Sequence, residues 1–145
     1  MSDDEAAVWR EQRRAAADEH LAAIERRKSA ESAAAAALLH DFVTAARERG
    51  IPATRLRARS YSGSATYRTQ VEGWHLKRNG SVAVGTDACF YVLSAPGSLA
   101  ARFTGVVLHP SPAPLVIGAG GRDGESIPLQ TLLTMRLDAA AGWDG

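Results

Sequence analysis

Lysine and cysteine are nearly missing from this chain of 145 residues. Only Lys28 and Lys77 stand among its 17 basic residues, and all the others are arginine. With so much alanine and glycine, that bias points to the codon usage of a GC-rich bacterial genome and says nothing about function. Cys89 is the one cysteine, so no intrachain disulfide can form, and a reducing cytoplasm is the simplest expectation. No apolar run approaches the ~20 residues that a membrane helix needs. The start, Met1-Ser2-Asp3-Asp4-Glu5, is acidic where a signal peptide would be basic. Glycine and proline are missing from the first 49 residues altogether. That absence leaves one long stretch with nothing to break a helix.

What is there divides into two unlike parts. Residues 1–37 read as a helical arm, rich in alanine, glutamate and arginine. Residues 38–141 read as an α+β body, followed by a short tail at 142–145. Ser2 with Glu5 forms a capping-box pattern, and Gly50 with Pro52 is a stop signal. A break at the serines of residues 29–32 would fit their habit of competing for backbone bonds. Leu38, Leu39, Phe42, Val43 and Ala46 recur at three- and four-residue spacing and should pack on the body. Before them the large apolar residues are only Val8, Trp9, Leu21 and Ile24, too sparse for a strong coiled-coil seam.

The charge is uneven. The net value is +1. Residues 1–46 carry six basic and nine acidic groups. Residues 47–78 carry eight basic groups against Glu48 and Glu72, a basic band of +6. Within it Arg55-Leu56-Arg57-Ala58-Arg59 alternates, placing three arginines on one face of a strand.

The body is expected to be a small antiparallel meander over residues 54–95. The second strand begins near Thr66, and a bulge at Gly73 would shift its phase to Trp74 and Leu76. Asn79-Gly80 suggests a type I′ hairpin with Leu76 facing Ala83 and Lys77 facing Val82. Trp74, Leu76, Ala83, Phe90 and Val92 then form the core face, and the opposite, mixed face would take the helix at residues 38–46. A proline- and glycine-rich linker covers residues 96–125. A last helix is expected over residues 126–140, capped by Ser126. Trp143 should be exposed or taken up by a partner.

Three constellations bear on function. The order strand, glycines, helix around Gly120, Gly121, Arg122, Gly124 and Ser126 suits an anion loop. Its details fit neither a Walker A loop, since Glu125 stands where Lys is needed, nor a dinucleotide fingerprint, since Asp123 replaces a glycine. An exposed loop is the plainer reading. The basic set Arg55, Arg57, Arg59, Arg68, Lys77 and Arg78, interleaved with Tyr61, Tyr67 and Trp74, suits phosphate contact with base stacking. A solvated arginine face that guards an edge strand is the alternative. On the arm, Trp9 with Arg13 and Arg14 suits a partner anchor.

Catalytic signals are weak. His20, His40, His75 and His109 show no metal-ligand spacing, so neither metal nor cofactor is expected. Cys89 reads as a small buried hydrophobe. The expectation is a non-enzymatic cytoplasmic interaction protein. Its arm would bind a protein partner or another copy of itself, and its basic β-face would meet an anionic partner such as RNA or a ribonucleoprotein. A nucleotide- or anion-binding protein using the glycine loop and an oligomeric scaffold are the alternatives.

Overall fold

The computed structural model describes residues 2–118 and 126–140. The architecture is α+β. A long helix, α1 (Asp3–Glu48), is followed by strands β1 (Thr54–Ser60), β2 (Thr66–His75), β3 (Val82–Gly85), β4 (Phe90–Val92) and β5 (Ser94–Ala95). Then come α2 (Leu99–Thr104), β6 (Val116–Ile117), β7 (Ile127–Pro128) and α3 (Leu129–Ala139).

Both ends of α1 are satisfied by its own sequence. Ser2 Oγ accepts from the Glu5 amide at 3.2 Å, and the Glu5 carboxylate accepts from the Ser2 amide. At the other end Gly50 takes a positive φ of 69°, its amide bonds Arg47 O, and the Ile51 amide bonds Ala46 O at 2.9 Å. That is a Schellman stop, with proline at 52 to forbid continuation. Between the caps the helix runs unbroken through residues 29–32. Its 46 residues span about 70 Å at 1.5 Å each.

The sheet has the order β4-β3-β2-β1-β5, and only Leu93 separates β4 from β5. The two ends of the sheet are therefore one bent strand, and the sheet closes on itself as a small barrel. β4 pairs antiparallel with β3, while β5 pairs parallel with β1 through Arg59↔Ser94 and Ser60↔Ala95. The parallel pairing departs from the all-antiparallel meander that the sequence suggests.

A closed sheet has an inside and an outside, and this one builds two cores. Leu56, Ala58, Tyr67, Val71, Ala83, Tyr91, Leu93 and Ala95 fill the inside, joined by Ala101 and Leu108. Outside, Trp74, Leu76, Val84 and Phe90 meet Leu39, Phe42, Val43 and Ala46 of α1 and Leu129, Leu132 and Leu133 of α3. Phe42 meets Trp74 edge to face, with centroids 5.9 Å apart, and Trp74 Nε1 donates to Ile51 O at 3.0 Å. Packing on the body begins before residue 38. Ala35 is fully buried, and Glu31 accepts from the Leu115 amide. Arg136 of α3 is also fully buried, with Nε donating to His75 O at 2.8 Å and the guanidinium also reaching Ala140 O.

Several expectations need correction. The hairpin register is His75↔Ala83, with the Leu76 amide bonded to Val82 O. Gly80 alone takes a positive φ, of 71°, after a turn closed by its amide on Lys77 O, so residues 77–81 form the loop. The one-residue shift turns β3 over. Val84 joins Trp74 on the helix-covered face, and Ala83 points into the barrel. The α1 segment thus packs on the Trp74 face, not the opposite one. β2 does not change phase at Gly73, where its pairing with β3 is regular. The irregularity lies where Arg55 and Arg57, two residues apart, face Glu72 and Arg68, four apart. Thr69 patches it, accepting from the Val71 amide and donating to Leu56 O at 2.7 Å. Finally, Ser126 caps no helix, because β7 intervenes and α3 starts at Leu129 without a side-chain cap.

Gly73 pairs with Gly85, and the β3 backbone passes close over it. A Cβ there would lie 2.0 Å from Val84 O, a backbone atom with no freedom to retreat. Gly73→Ala is expected to cost roughly 2–3 kcal/mol, read as a lower urea midpoint with the far-ultraviolet dichroism of α1 retained.

Candidate functional site

The exterior of the barrel is covered by helices on one side and left open on the other. The open side is built by β1 and the first half of β2. Strand alternation sends Leu56 and Ala58 inward and leaves Arg55, Arg57 and Arg59 exposed. Opposite them β2 exposes Thr66, Arg68, Gln70 and Glu72 while burying Tyr67, Thr69 and Val71.

The register decides which charges meet. Arg55 lies opposite Glu72 and pairs with it at 3.2 Å, its guanidinium also donating to Gln70 O at 2.7 Å. Arg57 lies directly opposite Arg68, two like charges on adjacent strands. Such a pair is unfavourable by up to about 1 kcal/mol. Arg68 is tied to the last turn of α2 and to the loop after it. Its guanidinium donates to Phe103 O at 3.1 Å, and its carbonyl accepts from Val106 N. Among the described residues no carboxylate pairs with Arg57, Arg59 or Arg68. The face therefore presents three guanidinium groups whose charge the described part of the chain does not neutralise.

Lys77 and Arg78 belong to the β2–β3 turn. That turn lies against the Arg59 end of β1, since Arg59, Ser60 and Tyr61 share a cleft of about 300 Å3 with Asn79, Gly80 and Ser81. Of the aromatics that lie among these residues in sequence, Trp74 is in the core as expected, 1% exposed, Tyr67 is buried too, at 3%, and Tyr61 alone is open, at 74%. Phe103 carries no signal in the sequence, yet it is 79% exposed beside Arg68. Its only cue is its place in a six-residue helix capped by Ser98, too short for a face to be read.

On the arm, Trp9 is 53% exposed, and the Arg13 guanidinium lies 4.6 Å from its ring centre. Arg14 is exposed, as are Val8 and Leu21. No buried residue of α1 precedes Ala35.

The other candidates are weaker. Gly120, Gly121, Arg122 and Gly124 lie outside the described residues, as does Trp143. The flanking β6 and β7 pair antiparallel, and so Ser126 enters a hairpin strand and not a helix N-terminus. Cys89 is half-buried in the β3–β4 turn, where burial and then the Asp87 charge push its thiol pKa up, the opposite of an activated nucleophile. Among the described residues no group of His, Cys, Asp and Glu is arranged to hold a metal, and no helix is long and apolar enough to cross a membrane. No family model, curated protein or solved structure matches the chain.

One polar latch closes the β3–β4 turn. The Tyr91 hydroxyl donates to Asp87 Oδ2 at 2.7 Å, and the Cys89 amide donates to Asp87 Oδ1 at 3.0 Å. Burial alone would raise the Asp87 pKa, but the bonds from Tyr91 and Cys89 outweigh it and hold the carboxyl below its usual value. Burial, then Asp87, raise the Tyr91 phenol well above its own. The Asp87 contribution is full above about pH 4 and fades as pH falls through the lowered pKa. The Tyr91 contribution is full below about pH 10 and fades as pH rises toward the raised value. Tyr91→Phe is expected to cost about 1 kcal/mol at pH 7, since the carboxylate is exposed, and to flatten the alkaline fall in stability. Melting temperatures at pH 7 and pH 11 would show it.

Proposed function

We propose that this chain is a non-enzymatic interaction protein whose basic barrel face binds an anionic polymer, with RNA or a ribonucleoprotein the leading class. The observation that carries the reading is the Arg57–Arg68 pair. Like charges held face to face across two strands weaken the fold, and a bound phosphate chain would reverse that cost. Arg59 extends the pair along β1, and the turn bearing Lys77 and Arg78 lies at the same end. The helical arm is proposed to grip a protein partner or a second copy through Trp9, Arg13 and Arg14. The support is that Val8, Trp9 and Leu21 are exposed on a helix with no buried residue before Ala35. The cytoplasm is the proposed compartment, since one cysteine leaves no intrachain disulfide to form.

Arg57→Glu separates function from fold. Opposite Arg68 it creates a favourable pair, so stability should rise by about 0.2–1 kcal/mol. Affinity for a single-stranded RNA 12-mer should fall about tenfold, and the slope of log affinity against log salt should shrink by ~0.7 for each phosphate no longer neutralised. Equal binding by both proteins would remove the arginine face from the function. Deleting residues 2–28 should leave the melting temperature of the body unchanged. Light scattering or partner recovery should change if the arm is an interaction element.

A further inference from the structure

Beside the arginine face runs an open groove of about 690 Å3. One wall is the bent β4–β5 strand with Val92, Ser94 and Ala95, and the other is α2 with the segment through Val107 and His109. This groove touches the basic face at both sides. Tyr61 and Val92 line both the groove and the cleft that holds Arg59. Across from them, Arg68 donates to Phe103 O in α2, the helix whose Ala100, Ala101 and Thr104 form the far wall. Of the Phe, Tyr and Trp rings in the described residues, Trp9, Tyr61 and Phe103 are exposed; Tyr61 lines the groove, and Phe103 is carried by α2, the helix that forms its far wall.

The groove mixes apolar walls with hydroxyl and imidazole groups, a lining suited to a flat heteroaromatic ring bearing polar edges. An exposed ring next to guanidinium groups is the combination that stacks an unpaired base while its phosphates are neutralised. A duplex offers neither an unstacked base nor a ring edge that can enter a groove.

Resting on the proposed reading of the basic face, we infer that the anionic polymer is single-stranded: its phosphates lie on Arg57, Arg59 and Arg68, and its unstacked bases meet Tyr61 in this groove and the exposed Phe103 of α2, the helix beside Arg68. The salt dependence comes from the arginines, and the preference for single strands comes from the rings.

Fluorescence anisotropy on the full chain tests this, with a labelled oligouridine 12-mer, an RNA duplex of equal length, and inorganic polyphosphate as competitor. Tyr61 and Phe103 are surface residues, so Tyr61→Ala and Phe103→Ala should fold as the parent does, checked by circular dichroism. The expected result is tighter binding of the single strand than of the duplex, and weak competition by polyphosphate. Each alanine variant should lose about tenfold in affinity with the salt slope unchanged, whereas Tyr61→Phe should bind as the parent does. If the alanine variants bind the 12-mer normally, or polyphosphate competes as well per charge as the 12-mer, the groove inference is overturned while the arginine face stands. If neither strand form binds and Arg57→Glu changes nothing, both the inference and the reading beneath it fall.

Discussion

Leu93 is the residue on which the sheet closes. Its amide donates to Ser81 O at 2.9 Å, and its carbonyl accepts from Arg59 N at 3.0 Å. Its side chain is 1% exposed inside the barrel. A single residue between the two end strands thus bonds to the entry of β3 on one side and to β1 on the other, and plugs the space they enclose. Without that seam β1 would be an edge strand, with unpaired amides beside three arginines. With it, the arginines stand on a curved surface whose backbone is fixed on both sides.

Closure also explains why so short a sheet supports two cores. Successive side chains of β2 alternate between the barrel interior and its outside. Tyr67 and Val71 take the inside, and the outside carries first Arg68, Gln70 and Glu72, then Trp74 and Leu76. One face of one strand is therefore solvated at its start and buried at its end. The boundary falls at Gly73, where the close approach of Val84 O admits no side chain. Beyond it Trp74 anchors α1 through Phe42 and the Ile51 carbonyl. The helices settle where the outside of the barrel is apolar, and the arginines keep the remainder clear.

Local chemistry is legible in the sequence, and pairing is not. The caps of α1 and the alternating arginines of β1 are written in adjacent residues, and the structure keeps both. The hairpin lies where Asn79-Gly80 puts it, but one register away. That dipeptide favours a two-residue turn, but here Gly80 alone takes a positive φ and the pairing of distant residues sets a longer loop. One residue of register decides which of Ala83 and Val84 faces the helices. β5 has two residues, too few for any period, and so the closing parallel pair leaves no trace. Glycines followed by Ser126 resemble a loop running into a helix, yet the helix starts only at Leu129, after Pro128 at its N-cap. On the site, the arginine face can be read from alternation, but its partition into a neutralised Arg55 and an opposed Arg57–Arg68 pair comes only with the register.

The arm and the basic face are mechanically linked by the way α1 is rooted. Its last turns are fixed in the core by Leu39, Phe42, Val43 and Ala46, so the helix leaves the body in a set direction. Residues 3–30 then extend roughly 40 Å from that root. A flexible tether of the same residue count would sample many positions and dilute any second contact. A rooted helix holds its tip at one distance and one angle. If both surfaces engage one assembly, the second contact is then made at an effective concentration set by geometry, and weak contacts at each end suffice for tight attachment overall. On that argument the sparse apolar content of the arm and the modest size of the arginine face are consistent with each other. If both are binding surfaces, the rooted helix between them would let two weak contacts act together.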